Sequence, residues 1–215
     1  MAGSKRLAGP ADPAFSIYLE GPRDRDLLRN WALRVSRQLA KAVENHSVLL
    51  GGRQPARAID CHRRQCQEHG TAVRALCILD RDGLPEPAEA DGQEPGLEFF
   101  TWPRRQIESY LLVPDAILRC LSRPDTSGVI ERLIRDLIPD AADEDAFQDV
   151  DAKRLLSQHG PLRAGMDAAI SSNLEPGRIA RRMRVAELHD DVRGLLARLQ
   201  TGFRLVEPEF HVIAR

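Results

Sequence analysis

The chain has 215 residues, 42% of them hydrophobic and 29% charged, with 31 basic and 32 acidic side chains that leave a net charge of −1. Such a chain buries a core without disulfide staples and is too apolar to stay disordered, while its balanced charge neither demands nor excludes a polyanionic partner. No apolar run approaches the ~18 residues of a membrane span, and residues 1–14 have two basic residues but no apolar core of signal-peptide length, so a cytoplasmic protein with a flexible tail over 1–14 is expected.

In chain order, FSIYLE from Phe15 is apolar, aromatic and β-branched enough for a strand, which Gly21 and Pro22 stop. Residues 24–43 then place Leu27, Leu28, Trp31, Val35, Leu39 and Val43 on one helical face. SVLL at 47–50 is a second short strand ended by Gly51 and Gly52, and residues 56–69 form a solvent-facing helix. RALCIL at 74–79 is apolar without alternation, as in a strand covered on both faces of a parallel sheet. The Pro-, Gly- and acid-rich stretch 83–96 is a surface loop, LEFFTW at 97–102 returns as a strand, and Pro103 leads into a helix over 104–112.

These elements predict an α/β, Rossmann-like domain over 15–113, a parallel sheet flanked by helices. A helical C-terminal region over 114–215 follows, with helix-favouring stretches at 116–121, 129–138, 152–159, 163–171 and 178–200 broken by Pro139, Pro161 and Pro176. The acidic connector 140–151 is a solvated linker or a helix start. No internal repeat is visible. Four cysteines (Cys61, Cys66, Cys77, Cys120) without a secretion signal read as reduced thiols. Cys61 and Cys66 beside His62 and His69 invite a zinc reading, but the second Cys-rich half of a closed tetrahedral site is missing.

In parallel α/β sheets, ligands sit beyond the carboxyl ends of the strands. Five acids fall there. Glu20 closes the first strand, Asp24 lies across the Gly-Pro turn, Asp80 closes the RALCIL strand, and Asp82 projects to the same side if the chain stays extended. Glu108 follows the fourth strand. Converging carboxylates repel one another unless protons or cations neutralise them, and the hard divalent cations Mg²⁺ and Mn²⁺ take such oxygen ligands. Each acid also has a plainer role: Glu20 as a strand-end acid, Asp24 as a helix N-cap, Asp80 and Asp82 as turn residues before Gly83, and Glu108 on a solvated helix face.

The motifs LEGPRD, ILDRDG and WPRRQIESYLL resemble, in order over residues 15–113, the Glu-Gly-x-x-Asp opening, the Asp-x-Asp strand end and the Ile-Glu-x-Tyr-Leu-Leu signature of TOPRIM domains in the overcoming-lysogenization-defect nuclease family. The resemblance implies a Mg²⁺-dependent nuclease with Glu20, Asp24, Asp80, Asp82 and Glu108 as metal ligands. It also implies that Lys153, in DAKRLL, stabilises phosphate charge, although an exposed helix lysine is an equal reading. Candidate phosphate contacts are Arg104 and Arg105 before Glu108, and Arg178, Arg181, Arg182 and Arg184 in GRIARRMRVA, a cluster that reads also as a solvated face.

The sequence holds no G-x-x-x-x-G-K-[ST] loop. The resemblance therefore implies a separate ABC-type ATPase subunit and a role in bacterial defence against phage or other foreign DNA, with DNA or an RNA such as tRNA as substrate. The oligomeric state is open, a homo-oligomer included. Two further readings stand beside this one. ILDRDG also resembles the nucleophile motif of haloacid-dehalogenase-type phosphatases, with Asp80 as nucleophile and Asp82 as acid/base, though Leu84 departs from the pattern and Glu20, Asp24 and Glu108 stay unexplained. A TOPRIM-like fold can also serve as a non-catalytic interaction subunit of an ATPase complex.

Overall fold

The computed structural model describes residues 15–69, 73–83, 94–121, 128–166 and 174–205. Four parallel strands, β1 (Phe15–Leu19), β2 (Ser47–Leu49), β3 (Arg74–Leu79) and β4 (Leu97–Thr101), form one sheet in the order β2-β1-β3-β4. Helices cover both faces, so the fold is α/β and Rossmann-like as the element order predicts. Alternation along β1 and β3 divides the core. Ile17, Leu19, Leu76 and Ile78 face the larger cluster with Leu27, Leu28 and Trp31, whereas Tyr18, Ala75, Cys77 and Leu79 face a smaller one with Leu50 and Ala58. Most of the predicted loop 83–96 lies outside the described residues, and among those described no helix is long and apolar enough to cross a membrane.

The connections place the crevice. From β1 the chain passes through α1 (Pro22–Val35) and α2 (Arg37–Asn45) to β2 on one side, then through α3 (Pro55–His69) to β3 on the other. The loops leaving β1 and β3 therefore diverge, which opens a switch-point crevice beyond their carboxyl ends. Leu19 pairs in register with Ile78, so the residues that follow the two strands, Glu20 and Asp80, are neighbours.

The C-terminal helices pack onto the larger core. Ile134, Phe147, Leu155, Ile179, Val192 and Leu199 belong to the same buried cluster as Trp31, so the apolar core runs across residue 113 without a break. Trp31 stacks edge-on against Trp102 at 6.4 Å between ring centroids, and its indole N–H donates to Met183 Sδ at 3.3 Å.

Several helices differ from their predicted extents, for local reasons. The predicted helix 24–43 starts at Pro22 and breaks at Ser36, which is extended and whose hydroxyl accepts from the Gln38 and Leu39 N–H groups, so it caps α2 instead of continuing α1. The predicted helix 178–200 divides into Pro176–Arg182, a 3₁₀ turn Val185–Glu187, and Asp190–Gly202. Met183 and Arg184 are extended between the first two, and the His189 ring caps the last by accepting from the Asp191 N–H. The acidic connector contains a helix, Glu144–Asp149, capped by Asp143, and Asp151 caps the next, Ala152–Leu155. The 163–171 stretch begins as Pro161–Ala164, and residues 167–171 lie outside the described residues. The predicted helix 104–112 is a single 3₁₀ turn, Ile107–Leu111.

Candidate metal centre

At the switch point, Glu20, Asp80 and Asp82 each offer a carboxylate oxygen, and these atoms all lie within 4.8 Å of one another. Backbone and side-chain bonds fix the arrangement. Glu20 Oε1 accepts the Asp80 N–H at 2.7 Å, which locks the end of β1 to the end of β3. Asp80 is 3% exposed; its Oδ1 accepts the Ile107 N–H at 2.8 Å and its Oδ2 accepts from Lys153 Nζ at 2.6 Å. The chain does not stay extended beyond Asp80. Asp82 adopts φ +48°, in the left-handed region that Asp tolerates, and Gly83 follows at φ +71°. Its N–H donates to Arg105 O at 2.9 Å, and Oδ1 accepts from Gln106 Nε2 at 3.2 Å. The turn thus brings Asp82 back to the cluster that extended geometry was expected to reach.

Asp24 and Glu108 stand outside that 4.8 Å group but within its field. Asp24 Oδ2 accepts the Gly21 N–H at 2.7 Å; the N-cap is Gly21, and Asp24, expected as the N-cap, instead sits at the third helical position and bonds back to it. Burial, then the Asp80 charge, pushes its carboxyl up to about 6, against the Gly21 bond. Glu108 is 1% exposed, with Oε1 3.4 Å from Arg23 and Oε2 buried without a hydrogen-bond partner among the described residues. Burial pushes it up to about 7, with Asp80 adding to the rise and Lys153 opposing it. Burial raises Asp80 and Glu20 as well, although Lys153 and the Ile107 N–H work against it at Asp80. Burial works against the charge of Lys153, but the Asp80 hydrogen bond and the surrounding carboxylates outweigh it and hold the ammonium above its usual value. The centre is therefore short of positive charge even with Lys153 in it, which is the electrostatic condition a cation relieves.

The donor set tests which cation fits. All three clustered ligands are carboxylate oxygens, which suits Mg²⁺ or Mn²⁺ and not a thiolate-seeking ion. Glu108 Oε2, buried without a hydrogen-bond partner among the described residues, is a further carboxylate oxygen outside the 4.8 Å group. The Cys61/Cys66 zinc alternative does not assemble: Cys66 Sγ lies 3.5 Å from His62 Nε2, which itself contacts Pro95 O at 3.0 Å, and no group of three metal-ligating residues other than the acidic one forms among the described residues.

The basic candidates separate. Arg104 is 6% exposed, pairs with Glu144 at 2.5 Å, and lies over the Phe147 ring at 3.7 Å and the Tyr110 ring at 4.9 Å. Its expected role as a phosphate contact is corrected on that ground: the guanidinium is spent clamping the Glu144–Asp149 helix to the 3₁₀ turn. Arg105 is half-buried and donates to Asp149 O at 2.9 Å. Arg178, Arg181 and Arg182 are exposed and line one surface depression on the Pro176–Arg182 helix.

Gln106 was not anticipated. Buried at 5% exposure, its amide donates to Asp82 and its Oε1 accepts the Lys153 N–H at 3.1 Å, so one side chain ties a carboxylate of the cluster to the segment carrying the lysine. No spacing rule marks a lone amide between Arg105 and Ile107, because its two partners lie 24 and 47 residues away. Groups that orient metal ligands typically change metal affinity by about 10–100-fold when removed. Gln106→Leu is expected to weaken Mn²⁺ binding about tenfold in calorimetric titration; unchanged affinity would contradict the positioning role.

No family model, curated protein or solved structure matches the chain.

Proposed function

We propose that this protein is a metal-dependent nuclease of the TOPRIM type that resembles the overcoming-lysogenization-defect family, acting in anti-phage defence with a separate ABC-type ATPase. One observation carries the reading: Glu20, Asp80 and Asp82 converge at a switch-point crevice with Lys153 Nζ 2.6 Å from Asp80. That placement agrees with the roles implied by LEGPRD, ILDRDG and DAKRLL.

Glu20, Asp80 and Asp82 would hold Mg²⁺ or Mn²⁺, with Asp24 and Glu108 as flanking carboxylates. When bound, the cation supplies Lewis-acid polarisation of a phosphodiester and acidifies water. The chain's own groups account for the rest. Lys153, held at the centre 2.6 Å from Asp80, would offer its ammonium to the charge that grows on the phosphate oxygens. Glu108, which lines the cleft beside Lys153 and carries a buried oxygen without a hydrogen-bond partner among the described residues, would be placed to accept or return a proton. Gln106 keeps Asp82 and the lysine segment in register. Arg105, Arg178, Arg181 and Arg182 would contact phosphates along the strand without reading its sequence.

The test is incubation of the purified protein with supercoiled plasmid, single-stranded DNA and tRNA in Mg²⁺ or Mn²⁺, alone and with a cognate ATPase. Nicking or cleavage that EDTA abolishes is the expected result. Phosphate release from a generic phosphomonoester with intact nucleic acid would point instead to the phosphatase chemistry of Asp80 and Asp82. Inertness toward every substrate would leave an interaction subunit.

A further inference from the structure

We propose that the cleft beside the acidic centre is a phosphate-binding subsite in which Arg23 and Arg163 grip the backbone phosphate next to the scissile one on a single nucleic-acid strand; this rests on the nuclease reading above. The cleft encloses about 270 Å³, and its lining includes Glu108 and Lys153 of the centre together with Arg23, Ser157, Arg163 and Glu175. It therefore opens directly from the site where a phosphodiester would be held. Three cations line it, each beside a carboxylate that an incoming phosphate would displace or compete with: Arg23 3.4 Å from Glu108, Lys153 2.6 Å from Asp80 and Arg163 3.3 Å from Glu175. The volume lies below the roughly 300–1,000 Å³ of sites for drug-sized ligands, which suits one backbone unit and not a duplex.

The two arginines differ in how they are held. Arg163 is 12% exposed, its terminal amine donates to Leu174 O at 2.7 Å and lies 3.3 Å from Glu175 Oε1, and its Nε alone is buried without a hydrogen-bond partner among the described residues. A buried, charged donor left unsatisfied is costly, and a phosphate oxygen is the strongest acceptor for it. Arg23 stands at the mouth, 59% exposed, with its guanidinium 3.4 Å from Glu108. Glu175 and Pro176 form the far wall and begin the helix whose exposed face carries Arg181 and Arg182. Six residues at ~1.5 Å rise carry a strand about 9 Å from the cleft onto those arginines.

Binding is measured by fluorescence anisotropy with a short fluorescein-labelled single strand, as DNA and as RNA of the same sequence, with Ca²⁺ in place of Mg²⁺ to hold cleavage back. Arg23→Gln and Arg163→Gln are each expected to weaken binding roughly tenfold and to make the slope of log K against log salt shallower by about one, the signature of one lost phosphate contact. Arg23 is exposed, so its variant folds even if Arg163→Gln does not. Thermal stabilisation by Mn²⁺ is expected to persist in the Arg23 variant, because Glu20, Asp80 and Asp82 are untouched. Affinity and salt slope unchanged in Arg23→Gln would overturn the subsite while leaving the nuclease reading in place. Displacement of the strand by inorganic phosphate at equal phosphate concentration would make the cleft a free-anion pocket, and tighter binding of a duplex would also overturn it. Absence of Mn²⁺ stabilisation in the unaltered protein would remove the nuclease reading and the subsite together.

Discussion

Replacing Asp80 with Asn is expected to weaken metal binding and metal-dependent cleavage by orders of magnitude while leaving the fold intact. Asp80 is the hub of the centre: it contributes to the carboxylate group, accepts from Lys153 and accepts the Ile107 N–H. Asn retains an acceptor for Ile107 but loses the charge a divalent cation needs. Because Asp80 is a member of the cluster itself, the loss should exceed the about 10–100-fold typical of groups that only orient ligands. Mn²⁺ affinity is expected to fall at least roughly a hundredfold, and nicking by roughly a thousandfold. The metal-free melting temperature should hold or rise, because a buried carboxylate whose ionisation is already resisted costs stability when charged. A variant that melts early would instead mark Asp80 as a structural ion-pair partner of Lys153.

The second large effect concerns pH. Asp24 and Glu108 sit near 6 and 7, above their usual values of 3.8 and 4.5, so the folded protein holds these protons more tightly than the unfolded chain. For an acid raised in this way, the destabilisation is absent below about pH 4.5, grows as the pH climbs through about 7, and is complete above that. Metal-free protein should therefore melt lower at pH 8 than at pH 5. Cation binding competes with the same protons, so Mn²⁺ should raise the melting temperature more at pH 8 than at pH 5. Glu108→Gln isolates the effect. Removing an ionisation penalty of about 3 kcal/mol, less about 1 kcal/mol for burying an amide donor without an acceptor, should stabilise the metal-free variant by about 2 kcal/mol at pH 8 and not at pH 5. Scanning calorimetry at the two pH values measures it; equal melting temperatures for variant and parent at pH 8 would show that Glu108 is not held against its charge.

How much of this was legible in the sequence depends on how local each cause is. β1 and β3 are strong apolar runs, and Glu20 and Asp80 stand where those runs stop, so their convergence follows once the strands are parallel neighbours. Asp82 reached the cluster by a different route than expected, through a left-handed turn that an Asp-Gly pair permits. Lys153 lies 73 residues from Asp80, and no periodicity could have linked them; only the resemblance pointed to it. Arg104 was a candidate phosphate contact because it precedes Glu108 in the chain, but the structure buries it. Its burial is set by Glu144 and Phe147, some 40 residues further on. The break at Ser36 was hidden because the apolar stripe continues across it, although a serine capping its own downstream N–H groups is a local signal that could have been weighed.

The central claim is that Glu20, Asp80 and Asp82 hold a divalent cation. A crystal grown in Mn²⁺ and measured near the manganese absorption edge tests it most directly. The account predicts an anomalous difference peak between the three carboxylates. A crystal whose cluster shows no such peak would contradict it.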